Sequence, residues 1–173
     1  MIADFIEIRV PEALYNYIVH TTGGDIIRPC KNGVLWAVIK QHLICYTKWK
    51  MELGNPSDPE LQTGQILKIE LLRKNGAQAP CRNIALNTSS RKYLSVQGCR
   101  LVSRLLTCEF QKTFLDYMSG ASMANPEINI KDAINVFCDD YGLDFLNSYE
   151  MLKKRWYRYR QKDSIKQNTL INF

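Results

Sequence analysis

Residues 128–162 read INIKDAINVFCDDYGLDFLNSYEMLKKRWYRYRQK, a pattern that predicts two helices separated by a sharp turn. Ile130, Ile134, Phe137 and Tyr141 recur at the three-and-four spacing that gathers side chains on one helix face, and Asn129 stands where a cap belongs. Gly142 follows at the position of a left-handed exit residue, with Leu143 placed to close the apolar contact behind it. A second stripe consists of Tyr149, Leu152, Trp156 and Tyr159; Asn147, with Glu150 three residues on, predicts a restart near Ser148. The other face of this helix carries Lys153, Lys154, Arg155, Arg158, Arg160 and Lys162, and no acid lies between Met151 and Lys162. Trp156 and Tyr159 are expected inward, and Arg155, Arg158 and Lys162 exposed.

Before this pair, Ser95 is a plausible cap for a long helix from Val96 to about Met118, with Gly120 to Pro126 as a loop. Its apolar face, from Leu101 and Val102 through Phe110 and Phe114 to Met118, is wide enough for two neighbours or a second copy of itself. Nearer the start, Asp4 to Val10 alternates as a half-buried strand, and Pro11 opens a helix that Gly23 and Gly24 stop. Asp25 to Pro29 reads as a short strand. Val34 to Trp49 reads as one helix, with His42 a packed structural residue on its apolar side. Gln65 to Leu72 and Pro80 to Leu86 read as a hairpin whose tip, Lys74-Asn75-Gly76, has Arg73 and Arg82 beside it. The expected class is therefore α+β, mainly helical. An N-terminal α/β segment covers residues 1–53, a linker or long loop 54–64, and a hairpin with helices 65–173, ending in the pair at 129–162.

Composition narrows the function. Hydrophobic residues at 46% and charged residues at 23% are ordinary globular usage, which disfavours a disordered or fibrous chain. The longest apolar passage, Val34 to Trp49, is broken by Lys40, Gln41, His42 and Lys48, short of the roughly 20 residues of a membrane span. No secretory pattern follows Met1, so the cytoplasm is the expected location, and the six cysteines are expected as reduced core thiols. The net charge of +6 is uneven. Residues 1–150 are neutral in total, and the whole excess lies from Met151 onward, with seven basic residues against one acid. Basic residues also dominate from Lys68 to Lys112, whereas Asp116 to Glu150 is acidic.

The glycine turn followed by a basic, aromatic helix resembles the DNA-binding helix-turn-helix family. Cys138 supplies the small residue four before Gly142, and Phe137, Tyr141 and Leu143 fall at apolar positions of that motif. The expected turn, Gly142 to Asn147, is longer than the family's three or four residues. The resemblance implies phosphate contacts from Lys153, Lys154, Arg155, Arg158, Arg160 and Lys162, one or two arginines reaching guanine edges, and Tyr157, off the buried stripe, bonding to phosphate or stacking on a base. Arg73, Lys74, Arg82, Arg91 and Lys92 form a second basic region suited to the same partner. The expected function is non-enzymatic binding of nucleic acid, double-stranded DNA first and RNA as a variant. The chain would be a regulator or accessory factor, of the kind phages and mobile elements carry. No nucleotide-binding loop, metal-ligand pair or nucleophile elbow is present, so neither a cofactor nor a metal is expected. The alternative is an assembly component that dimerises through the long helix and docks the basic helix on an acidic partner. The basic helix also has a candidate partner within the chain, in Asp139, Asp140 and Asp144.

Overall fold

Alternation in sequence becomes alternation in burial along β1 (Phe5–Val10), where Ile6, Ile8 and Val10 are buried and Phe5, Glu7 and Arg9 exposed. The computed structural model describes residues 5–53, 64–71 and 92–170; its architecture is mixed α+β and mainly helical, with short strands toward the N-terminus. α1 (Glu12–Thr22) starts after Pro11, places Glu12 at its positive end, buries Leu14 and Ile18, and stops at Gly23. The next strand, β2 (Ile26–Ile27), is only two residues long.

The central strand of the first sheet comes from later in the chain. β4 (Gln65–Glu70) lies between β1 and β2, antiparallel to the first from Phe5↔Glu70 to Val10↔Gln65 and parallel to the second. Ile6 stands opposite Ile69 and Ile8 opposite Leu67, so the buried face is built from cross-strand aliphatic pairs. The hairpin return arm at 80–86, its tip at 74–76 and all but Gly64 of the expected linker at 54–64 lie outside the described residues.

Residues 34–49 depart from the single expected helix. α2 (Val34–Gln41) ends at His42, β3 (Leu43–Cys45) follows, and α3 (Tyr46–Leu53) restarts the helix. The break has a long-range cause. β3 pairs antiparallel with β5 (Lys92–Leu94), from Leu43↔Leu94 to Cys45↔Lys92, and the Ser95 amide donates to the His42 carbonyl at 3.0 Å. A short apolar run fits helix or strand equally well, and a partner strand decided for the second. His42 is half-buried and structural, with Nδ1 3.3 Å from Ser95 Oγ.

α4 (Val96–Ala124) begins as its sequence predicts. Ser95 Oγ accepts from the Gly98 amide at 3.0 Å, and Glu52 Oε2 accepts from the Val96 amide at 3.1 Å, so two donors of the first turn are satisfied. The helix does not stop near Met118; it runs through Gly120 to Ala124 and ends before Pro126. One glycine inside a helix costs only about 1 kcal/mol, whereas proline disfavours helical geometry in the residue before it.

The chain divides into two compact units, Met1–Thr107 and Cys108–Phe173, with the boundary inside α4. In the second, α4 from Cys108 onward, α5 (Ile130–Asp140) and α6 (Phe145–Leu170) share a core of Phe110, Phe114, Met118, Ile134, Phe137 and Leu152. No helix among the described residues is long and apolar enough to cross a membrane.

Two glycines of α4 give opposite expectations. A Cβ at Gly98 would come within 2.5 Å of His42 Cβ and 2.8 Å of Leu94 Cγ, whereas one at Gly120 would meet nothing within 4 Å. Gly98→Ala is expected to destabilise by about 1–3 kcal/mol through overpacking. Gly120→Ala is expected to stabilise by about 0.5–1 kcal/mol. Urea unfolding midpoints check both signs.

Candidate nucleic-acid interface

The candidate interface begins with the turn that aims α6. Asn129 caps α5, its Oδ1 accepting from the Lys131 amide at 3.0 Å. At the other end, Gly142 takes φ 64°, a left-handed conformation that suits glycine. The Leu143 amide then donates to the Cys138 carbonyl at 2.8 Å, and both Leu143 and Cys138 are buried.

α6 starts three residues before the expected restart. Its cap is Asp144, whose Oδ1 accepts from the Leu146 amide at 2.9 Å and whose carbonyl accepts from the Ser148 amide at 3.0 Å. Asn147, the expected cap, lies inside the first turn and donates from Nδ2 to Asp144 Oδ2 at 2.6 Å. A full negative charge at the positive helix end and the packing of Phe145 on Tyr149, 5.1 Å between ring centroids, favour the earlier start. The turn therefore shortens to Tyr141–Asp144, within the length of the helix-turn-helix family.

The apolar stripe of α6 packs as expected: Leu152 and Trp156 are buried, and Tyr149 and Tyr159 half-buried. Trp156 stacks on Tyr159 at 5.8 Å, and its Nε1 is buried without a hydrogen-bond partner among the described residues. Lys154, Tyr157, Arg158, Arg160 and Lys162 are exposed. Arg155, expected exposed, is half-buried, and its pKa is lowered by that burial first and then by the charge of Arg158. The nearby Cys108, on α4, acts in the opposite direction.

The seven site residues of α6 do not form one surface. A helix turns about 100° per residue, so Lys154, Arg155, Arg158 and Lys162 share an arc of about 100°. Lys153 and Arg160 fall on the other flank. Lys153 is tied down there, with Nζ 3.8 Å from Glu150 Oε1 and 5.2 Å from the centre of the Tyr149 ring. Arg160 has contacts of its own. Helical projection of the sequence alone carries the signal for this division; the half-burial of Arg155 depends on its packed surroundings.

Of the three acids expected to neutralise the basic helix, Asp139 and Asp144 make hydrogen bonds elsewhere. Asp139 Oδ2 accepts from Asn135 Nδ2 at 3.3 Å, Asp144 is the cap of α6, and Asp140 contributes to raising the Tyr117 pKa, after burial. Among the described residues, no ion pair joins Lys154, Arg155, Arg158 or Lys162 to these carboxylates. Of the second basic region, Arg73, Lys74, Arg82 and Arg91 lie outside the described residues, and Lys92 is described as backbone in β5 alone.

The first unit holds an open cleft of about 250 Å³ lined by Glu7, Arg9, Trp49, Ile66, Leu94 and Cys99. Arg9 Nη1 is committed to the Gly64 carbonyl at 3.1 Å, and burial pushes the Cys99 thiol up to about 11, so it is no nucleophile near neutral pH. The cysteines also depart from the expectation of core thiols. Cys138 is buried and Cys99 partly so, but Cys30, Cys45 and Cys108 are exposed. Cys108 illustrates the reason: it lies two residues before buried Phe110 and so about 200° around the helix from it.

Comparison with family models, curated proteins and solved structures found no match to this chain.

Asp144→Ala is expected to cost about 1 kcal/mol of stability, and Asn147→Ala clearly less, in chemical denaturation. Iodoacetamide at pH 8 is expected to label Cys30, Cys45 and Cys108 and to spare Cys99 and Cys138, both raised to about 11. Raising the pH toward that value increases the thiolate fraction at Cys99, and its labelling rate should climb with it; mass spectrometry of peptides reads both.

Proposed function

We propose that this chain is a nucleic-acid-binding protein, with double-stranded DNA as its first partner and RNA as a variant, and that it acts as an accessory factor or regulator by binding rather than catalysis. One observation carries the reading. Lys154, Arg155, Arg158 and Lys162 share one arc of α6 and have no carboxylate partner among the described residues, although seven acids lie between Asp116 and Glu150. A half-buried guanidinium beside a second one is electrostatically unfavourable by itself, and an anion placed between them relieves both repulsion and desolvation. Repeated phosphates are the partner that supplies such anions along a line. The expected internal neutralisation by Asp139, Asp140 and Asp144 loses support, because hydrogen bonds engage Asp139 and Asp144 on α5 and at the turn.

The seven α6 residues are accordingly not equal. Lys154, Arg155, Arg158 and Lys162 form the primary contact. Tyr157, exposed next to Arg158, can add a hydrogen bond to phosphate or a stacked base. Lys153 is held by Glu150 and Tyr149 and contributes less.

Gel retardation of a duplex at low salt tests the proposal. The parent protein is expected to shift the probe, Lys154→Glu with Arg158→Glu to weaken binding by about tenfold or more, and Lys153→Ala to leave it nearly unchanged. Absence of a shift with duplex, single-stranded DNA and RNA probes alike would overturn it.

A further inference from the structure

Charge is distributed along α6 as well as around it. The end nearest the turn is acidic: Asp139 and Asp140 close α5, Asp144 caps α6, Glu150 follows in its second turn, and all four are exposed. Between these acids the surface offers Leu146, 84% exposed, and Asn147, which is bonded to Asp144. The cations begin only at Lys153. With a rise of 1.5 Å per residue, Lys154 to Lys162 spans about 12 Å, and the lysine and arginine side chains splay several ångströms past each end, so the strip reaches about three to four successive phosphates of one strand. Four cations in one arc thus match that many phosphates. The acidic end is the part that a helix-turn-helix would insert into the major groove, bringing four carboxylates up to the phosphates on either side. Like charges that close disfavour the approach, and no basic side chain of the first two turns of α6 offsets them.

We infer that α6 meets nucleic acid side-on, through the Lys154–Arg155–Arg158–Lys162 strip lying along one strand's phosphates, and that the acidic turn holds the N-terminal end of α6 out of the groove. The inference rests on the nucleic-acid reading above and deepens it: the partner is the phosphate backbone of a duplex, bound without regard to base sequence. Base edges are reached from within a groove, and the strip stays on its rim. The short turn therefore gives the chain the helix-turn-helix length without its mode of docking.

The test is titration of the full-length protein against two unrelated duplexes of equal length, across a range of salt concentrations, with circular dichroism confirming that each variant is folded. The expected slope of log K against log salt is about −3 to −4, equal for both duplexes, since each neutralised phosphate contributes about −0.9. Lys154→Ala with Arg158→Ala is expected to reduce that slope by nearly two. Leu146→Ala should leave affinity unchanged, and Glu150→Gln should leave it unchanged or raise it. Three outcomes would overturn the inference while leaving nucleic-acid binding intact: a tenfold loss in Leu146→Ala, a hundredfold preference for one duplex, or an unchanged slope in the strip variant. Polyglutamate bound as tightly as duplex would assign the strip to an acidic protein surface and overturn it as well. Binding to no nucleic acid would overturn the underlying reading itself.

Discussion

The ring of Phe137 is the constraint on which the C-terminal unit depends. It is fully buried, and its centroid lies 4.5 Å from Tyr141, 5.0 Å from Phe114, 5.3 Å from Tyr117 and 6.4 Å from Phe110. Each aromatic pair contributes about 0.5–1.5 kcal/mol beyond the apolar area it removes from water. More important is what the cluster fixes. With Phe137 held against α4, its neighbour Cys138 is buried at the end of α5 and accepts the amide of Leu143, which sets the exit of the turn. Asp144 then has one place from which to start α6, and burial of Leu152 and Trp156 sets the rotation of that helix. Which cations face outward is thus decided by packing, with charge following.

The positive strip gains little from the helix that bears it. Asp144 is well placed for the helix dipole, an effect of about 0.3–1 kcal/mol that fades within the first turn. Lys154 to Lys162 lie more than a turn from both ends of a helix running to Leu170, so the dipole offers them almost nothing. Nor do ion pairs hold them among the described residues, apart from contacts of Arg160. Adjacent like charges at this spacing are mildly destabilising in a helix. Among the described residues the strip therefore carries a small folding cost that no internal ion pair offsets.

Local signals were legible wherever one periodicity or one cap stood without a competitor. The alternation of β1, the stripe of α5, the Asn129 and Ser95 caps and the buried face of α6 all follow from spacing. Competing signals misled. Asp144 and Asn147 are both good caps three residues apart, and the charge of Asp144 together with the packing of Phe145 on Tyr149 separates them. Val34 to Trp49 has a helical pattern throughout, yet Leu43–Cys45 forms a strand because residues 92–94 lie beside it. The half-burial of Arg155 likewise depends on tertiary surroundings, which no window of sequence contains.

The position of β4 sets an order on assembly. β1 and β2 do not touch along their edges; each is bonded to β4, which the ribosome makes last of the three. Until Glu70 has been synthesised, the nascent chain holds two strand-forming segments with unpaired edges, and α1 has no completed sheet to cover. Pairing Phe5 with Glu70 must also close a loop far longer than any contact between α5 and α6 requires. The helical end thus relies on neighbours in sequence, whereas the sheet waits for a strand that arrives late.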